Sequence, residues 1–134
     1  MSSTSHAKVL VLGDAATLYD GLKNAITRLA GGGDIPGRTQ LRQEVLAESF
    51  RNPAVAKIVK KGEVLTIKAL ANILTMAKTR GEIAAHVDPE EAAILILAFS
   101  DGVLSRIPLK LRPLSALVDP TIAFLAATLD LKNA

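Results

Sequence analysis

The stretch DPEEAAILILAFSDGVLSR (88–106) decides the fold. Asp88 can cap a helix, Pro89 suits a first helical turn, and Glu91 stands where a carboxylate can reach back to the cap backbone. Glu90 and Glu91 also face the positive end of the helix dipole. The helix that follows should reach about Ile107 and stop before Pro108. From Ala92 to Phe99 it is apolar on every side, and a helix of that kind is enclosed by neighbours on several sides. Eight apolar residues are far fewer than the roughly 18 needed to span a bilayer.

Similar punctuation extends in both directions. Upstream, Asn52-Pro53 is a second cap followed by proline, and a helical pattern runs from Pro53 to Arg80 and stops at Gly81. Ile58, Leu65, Ala69, Ile73, Met76 and Ala77 are expected on or near its buried stripe, with Gly62 as a point of bending or division. Before it, Thr39 to Arg51 reads as a helix that buries Leu41, Val45, Leu46 and Phe50. GGGDIPGR (31–38) reads as a mobile connection. A first helix spans about Ala15 to Ala30, with Leu18, Leu22, Ala25, Ile26 and Leu29 at helical spacing. KVLVLGD (8–14) reads as a short strand or as the start of that helix, and residues 1–14 as a loose N-terminal segment. Downstream, LKLRPLSALV (109–118) is a connection or short turn. Asp119-Pro120 repeats the start signal for a final helix from Thr121 to about Leu131, with Ile122, Leu125, Ala126 and Leu129 on one side. Period-two alternation never persists, so the expected class is all-α: about five helices forming a single domain over residues 15–134.

Composition narrows the function. The chain has 134 residues, of which 49% are hydrophobic and 3% aromatic, and it has no cysteine. Disulfide scaffolds, thiolate metal sites and cysteine nucleophiles are therefore excluded. With only His6 and His86, a histidine-rich metal centre is excluded too, and His86 reads as a loop residue. The apolar excess comes from aliphatic residues and exceeds what one stripe per helix requires. A subunit interface or a ligand cavity is the usual destination of such a surplus. No signal peptide is visible, so the expected compartment is the cytoplasm, with no membrane partner.

Charge is uneven. Residues 38–80 hold nine basic and three acidic side chains, whereas residues 81–134 hold four and seven. Lys57, Lys60, Lys61, Lys68 and Lys78 stand among apolar residues without an aromatic stacking partner, which reads as the solvated face of a long helix rather than a nucleic-acid footprint. Asp101, inside an apolar helix, has three readings: a ligand contact, a partner for Arg106, or a solvent-facing carboxylate. Met76 and Phe99 read as core, and packing alone accounts for Tyr19.

Catalytic motifs are missing. A strand ending at Gly13-Asp14 resembles the opening block of SGNH hydrolases, but Ala15 stands where those enzymes need serine, and no Asp-x-x-His pair follows near the C-terminus. No glycine-rich nucleotide loop, Gly-Lys-Ser/Thr motif or serine triad is present. The expectation is a binding protein, not an enzyme, with no cofactor and no metal.

A family resemblance enters at this point. LRQEVLAESFRNPAVAKIVKKG (41–62) resembles the helix closing in Arg-Asn/Asp-Pro in the regulatory domain of TetR-family transcriptional regulators. KTRGEIAAHVDPEEAAILILAFSDGVLSR (78–106) continues the likeness through Arg80-Gly81-Glu82, Asp88-Pro89-Glu90 and Asp101-Gly102. VDPTIAFLAATL (118–129) looks like the family's final helix. The likeness covers about residues 15–131 and rests on the order and spacing of its elements. It implies an all-helical regulatory domain that dimerises through its last two helices as a four-helix arrangement. It also implies a small, often apolar ligand among the preceding helices, whose binding changes the separation of two DNA-binding heads.

The family's helix-turn-helix head does not fit into the 14 residues before Ala15, so this chain alone is not expected to read DNA. The dimer face is expected at Leu95, Phe99, Gly102, Val103, Ile122, Leu125 and Leu129. Gly102 would let a partner helix approach closely. The ligand cavity is expected at Leu22, Ile26, Leu46, Phe50, Ile73, Leu74 and Ala77, residues that a filled core would also explain. Partners are a second copy of the chain or a full-length TetR-like relative. The alternative function is a headless anti-repressor or interaction protein that pairs with such a relative and needs no ligand.

Overall fold

The structure, a computed structural model, describes residues 17–30, 35–106 and 109–131. It contains five α-helices: α1 Leu18–Ala30, α2 Ile35–Ser49, α3 Pro53–Thr79, α4 Pro89–Leu104 and α5 Val118–Leu129. A short 3-10 turn, Leu114–Leu117, leads directly into α5. The described residues form no strand, so the class is all-α as expected. The alternative of a strand or helix at residues 8–14 falls outside the described residues.

The boundary signals act as their chemistry requires. The Asn52 side chain accepts from the backbone N–H groups of Ala54 and Val55, and Pro53 opens α3. Asp88 Oδ1 accepts from the N–H groups of Glu90 and Glu91 at 2.9 and 3.2 Å. In each case a side-chain oxygen satisfies donors that the first helical turn leaves without partners. Helix α3 ends at Thr79, and Gly81 follows with φ +77°, a backbone conformation suited to glycine.

Several boundaries differ from the expectation, and α4 ends at Leu104, short of Ile107, with Ser105 as its C-cap. Ile35 to Arg38 belong to α2 rather than to a loop, because Pro36 falls in the first turn, where a missing N–H costs nothing. Helix α3 runs through Gly62 as one element of 27 residues. Helix α5 begins at Val118, one residue before Asp119, and no side chain caps it. The preceding 3-10 turn takes the place of the cap that Asp119 was expected to supply.

Two contacts give the direction of the central hairpin. Near the end of α3, Lys78 Nζ donates to the backbone oxygen of Val87, just ahead of α4. Fifteen residues earlier in α3, Glu63 shares the Arg42 guanidinium with Asp101, close to the end of α4. Helix α4 therefore runs back along α3. Leu70, Leu74 and Ala77 of α3 and Ala92, Ala93 and Ile96 of α4 lie in one buried cluster. Leu18 and Leu22 of α1 and Leu125 and Leu129 of α5 complete it, together with Ile83 from the loop. Alanines on the α4 side leave room for the leucines of α3, so large and small residues interdigitate across the seam.

The stripe expected on α3 is only half right. Leu70, Leu74 and Ala77 face inward together with Thr66, whereas Ile58, Leu65 and Met76 are exposed. Those three are seven and eleven residues apart, close to whole numbers of turns at ~3.6 residues per turn, so they share a face of their own. Thr66 tolerates burial because its hydroxyl donates to the Gly62 carbonyl at 3.1 Å.

Candidate functional site

Three parts of the molecule carry the residues singled out by the sequence. The first is the interior. Leu22, Leu74 and Ala77 are buried in the common cluster, with Ile26 and Ile73 partly buried against it. Five of the seven expected cavity residues thus meet in one place. Leu46 is half-buried on α2, and Phe50 lies just past the end of α2 with 90% of its surface exposed. Phe50 is outside because α2 stops at Ser49 and the chain turns there towards Asn52, where the Phe50 N–H bonds the Ala47 carbonyl.

The second part is the outer side of α4 and α5. Ile122, Leu125 and Leu129 are buried within this chain rather than presented outward. Phe99, Gly102 and Val103 are half-buried, and only Leu95, at 63%, is exposed. The outward apolar surface instead consists of Ile94 and Leu95 on α4 and Phe124 on α5, the last 56% exposed. Phe124 stacks on Phe99 with ring centroids 4.7 Å apart and planes 7° from parallel, tying the two helices together. Sequence reasoning missed Phe124. The available signal was its position as the lone aromatic of α5, off the stripe formed by Ile122, Leu125 and Leu129. At Gly102 a side chain would meet only Arg106 Nη1 at 3.7 Å, an ordinary contact. Among the described residues nothing crowds that position. Among the described residues the apolar stretch of α4 turns Ala92, Ala93 and Ile96 to the core, with Leu97 and Phe99 partly buried against it, and leaves Ile94 and Leu95 exposed.

The third part is a charge junction. Arg42 of α2 donates through Nη2 to Glu63 Oε1 of α3 at 2.6 Å and to Asp101 Oδ2 of α4 at 2.8 Å. Asp101 therefore pairs with Arg42. Arg106 instead donates to the Gly102 carbonyl at 2.7 Å. Of the three readings of Asp101, the pair with Arg106 is not formed, because Arg106 lies past the end of α4 and turns back onto its last turn. Burial of Arg42 works against its charge, but the hydrogen bonds it donates to Glu63 and Asp101, with the attraction of their negative charges, outweigh that effect and raise its pKa above the ordinary arginine value. Sequence spacing could not have found this junction, since its three members come from three helices.

Glu82 has a separate, local role. Its Oε1 accepts from the Leu18 N–H at the start of α1 at 3.1 Å, while Oε2 accepts from Arg80 Nε at 2.7 Å. The Arg80-Gly81-Glu82 turn thus fixes the entry of α1 against the hairpin.

The five helices, with a long α3, a return into α4 through residues 80–88 and a core shared by α1, α3, α4 and α5, can be compared with known folds. Among solved structures the chain is similar to Salmonella enterica GusR, with 27% sequence identity and a TM-score of 0.72 over 96% of this chain and 72% of that chain. GusR is a TetR-family regulator, and the likeness supports a regulatory role. No protein-family model and no curated protein matches the chain. No helix among the described residues is long and apolar enough to cross a membrane.

Proposed function

We propose that this chain is the effector domain of a transcriptional regulator, one that dimerises and receives a small, mostly apolar ligand. Its role is binding, and neither catalysis nor base reading is assigned to it. The observation that carries the reading is the likeness to GusR over 96% of the chain. The outward Leu95 and Phe124 support a dimer, since Leu95 stands one turn before Phe99, on which Phe124 stacks, and neighbouring exposed apolar side chains gain when a partner removes them from water. In that dimer, α4 and α5 of two copies form a four-helix arrangement, with Leu95 and Phe124 at its contact and Ile122, Leu125 and Leu129 holding α5 from behind. The ligand reading places the compound among Leu22, Ile26, Ile73, Leu74 and Ala77.

Sedimentation of the intact chain tests the dimer. The expected result is a concentration-dependent dimer that Leu95→Arg converts to a folded monomer. A strictly monomeric wild-type chain at high concentration overturns it. Thermal unfolding across a panel of apolar compounds tests the ligand. A true ligand at 100 times its Kd adds about 2.7 kcal/mol, which raises Tm measurably. A panel that leaves Tm unmoved removes the ligand from the proposal without touching the dimer.

A further inference from the structure

Helix α2 is held differently from the other four. Among its described side chains none belongs to the buried core, and none is among the apolar residues packed against it. Val45 and Leu46 are only half-buried, while Leu41 is exposed. By contrast, α1, α3, α4 and α5 each contribute fully buried side chains. Helix α2 lies along α3, and its described apolar side chains are half-buried or exposed rather than part of the core.

Its polar grip is concentrated in one residue. Arg42 joins α2 to α3 and α4 together, through Glu63 at 2.6 Å and Asp101 at 2.8 Å. Among the described residues no other ion pair links α2 to another helix, since Arg51–Glu48 pairs the end of α2 with itself. The docked arrangement also has a built-in penalty. The Arg42 side chain is 23% exposed, yet its Nε is buried and finds no hydrogen-bond partner among the described residues. Water would satisfy that N–H if α2 moved away. Charge-assisted bonds favour the docked helix, and the orphaned donor favours release. Such opposed contributions set an equilibrium that modest changes in conditions can shift.

We propose that Arg42 is an ionic latch, and that α2 is a gate on the α3–α4 hairpin whose opening is controlled by the Arg42–Glu63–Asp101 junction. Salt loosens the latch by screening it, and a cation that competes for Glu63 and Asp101 opens it. Opening frees the inner side of α2 and leaves the Leu70–Leu74–Ala77 core of the hairpin closed, because that core does not include α2. The latch stands independently of the dimer and of any ligand.

Amide hydrogen exchange on the intact chain tests it, comparing amides 42–49 of α2 with amides 70–77 of α3. Raising NaCl from about 0.02 to about 0.5 M should speed exchange in α2 several-fold and leave α3 unchanged. Arg42→Gln should speed α2 exchange by about tenfold or more at low salt and abolish its further response to salt. The near-isosteric pair Glu63→Gln with Asp101→Asn should reproduce both effects, which keeps the test open if Arg42→Gln folds poorly. Three results overturn the latch. One is α2 exchange that ignores salt and the variants. Another is α2 and α3 rising together, which marks global destabilisation. The third is a salt response that persists undiminished in both variants.

Discussion

Single side chains at helix ends carry much of the local specification. Asp88 Oδ1 accepts two first-turn N–H groups, so Asp88→Ala leaves both without that partner. The expected cost is about 1 kcal/mol, seen as a lower Tm with the helical spectrum retained. Arg42 acts at longer range. Its raised pKa means that the stability it contributes is fully present below the unfolded arginine value and is lost only as pH climbs through the still higher folded value. That range lies beyond ordinary buffers. The stability difference between wild type and Arg42→Gln is therefore expected to stay constant between about pH 6 and 9, where arginine remains protonated in both states. Chemical denaturation across that range checks it, and a difference that varies by more than the error of the fit rejects it.

At the scale of elements, α3 shows how two apolar stripes on one helix have different roles. Leu74 is fully buried, whereas Met76, two positions on, is exposed. Leu74→Ala is expected to cost about 2–5 kcal/mol, because neighbours close only partly around the missing volume. Met76→Ala should change stability by less than about 0.5 kcal/mol. Equal effects at the two sites would reverse the assigned orientation of α3. The outward half of α3 also carries Lys57, Lys60, Lys61 and Lys68, all exposed, which agrees with a solvated face, whereas Lys78 is half-buried and donates to the Val87 carbonyl. Between α4 and α5, the stacked Phe99 and Phe124 rings should give a coupling of about 0.5–1.5 kcal/mol in a double-mutant cycle to leucine. A coupling near zero would mean that the rings contribute by burial alone.

For the whole molecule, the dimer reading now rests on different residues. Ile122, Leu125 and Leu129 hold α5 to its own domain, so truncating them should unfold the chain rather than split a dimer. Leu95 and Phe124 face outward, and Leu95→Arg is the change that should separate copies while leaving each folded. The distinction matters for reading any variant. Loss of dimer with an unchanged Tm at low concentration points to the outer face, and loss of both points to the core.

The amino-acid sequence alone determined the class and most boundaries. Asn52-Pro53, Gly81 and Asp88-Pro89 act through their own backbone and the next turn, and such local chemistry can be read in order along the chain. It also placed Leu22, Ile26, Ile73 and Ala77 on inward stripes, since helical periodicity records which side is dry. Tertiary structure alone decided what each dry side meets. The same periodicity that marks Leu125 also marks Ile58, yet one is enclosed by its own domain and the other is bare. Periodicity gives a direction around one helix axis and carries no information about the neighbouring helix. The Arg42 junction is the clearest case, because Glu63 and Asp101 meet it only after three helices have packed, at sequence separations of 21 and 59 residues.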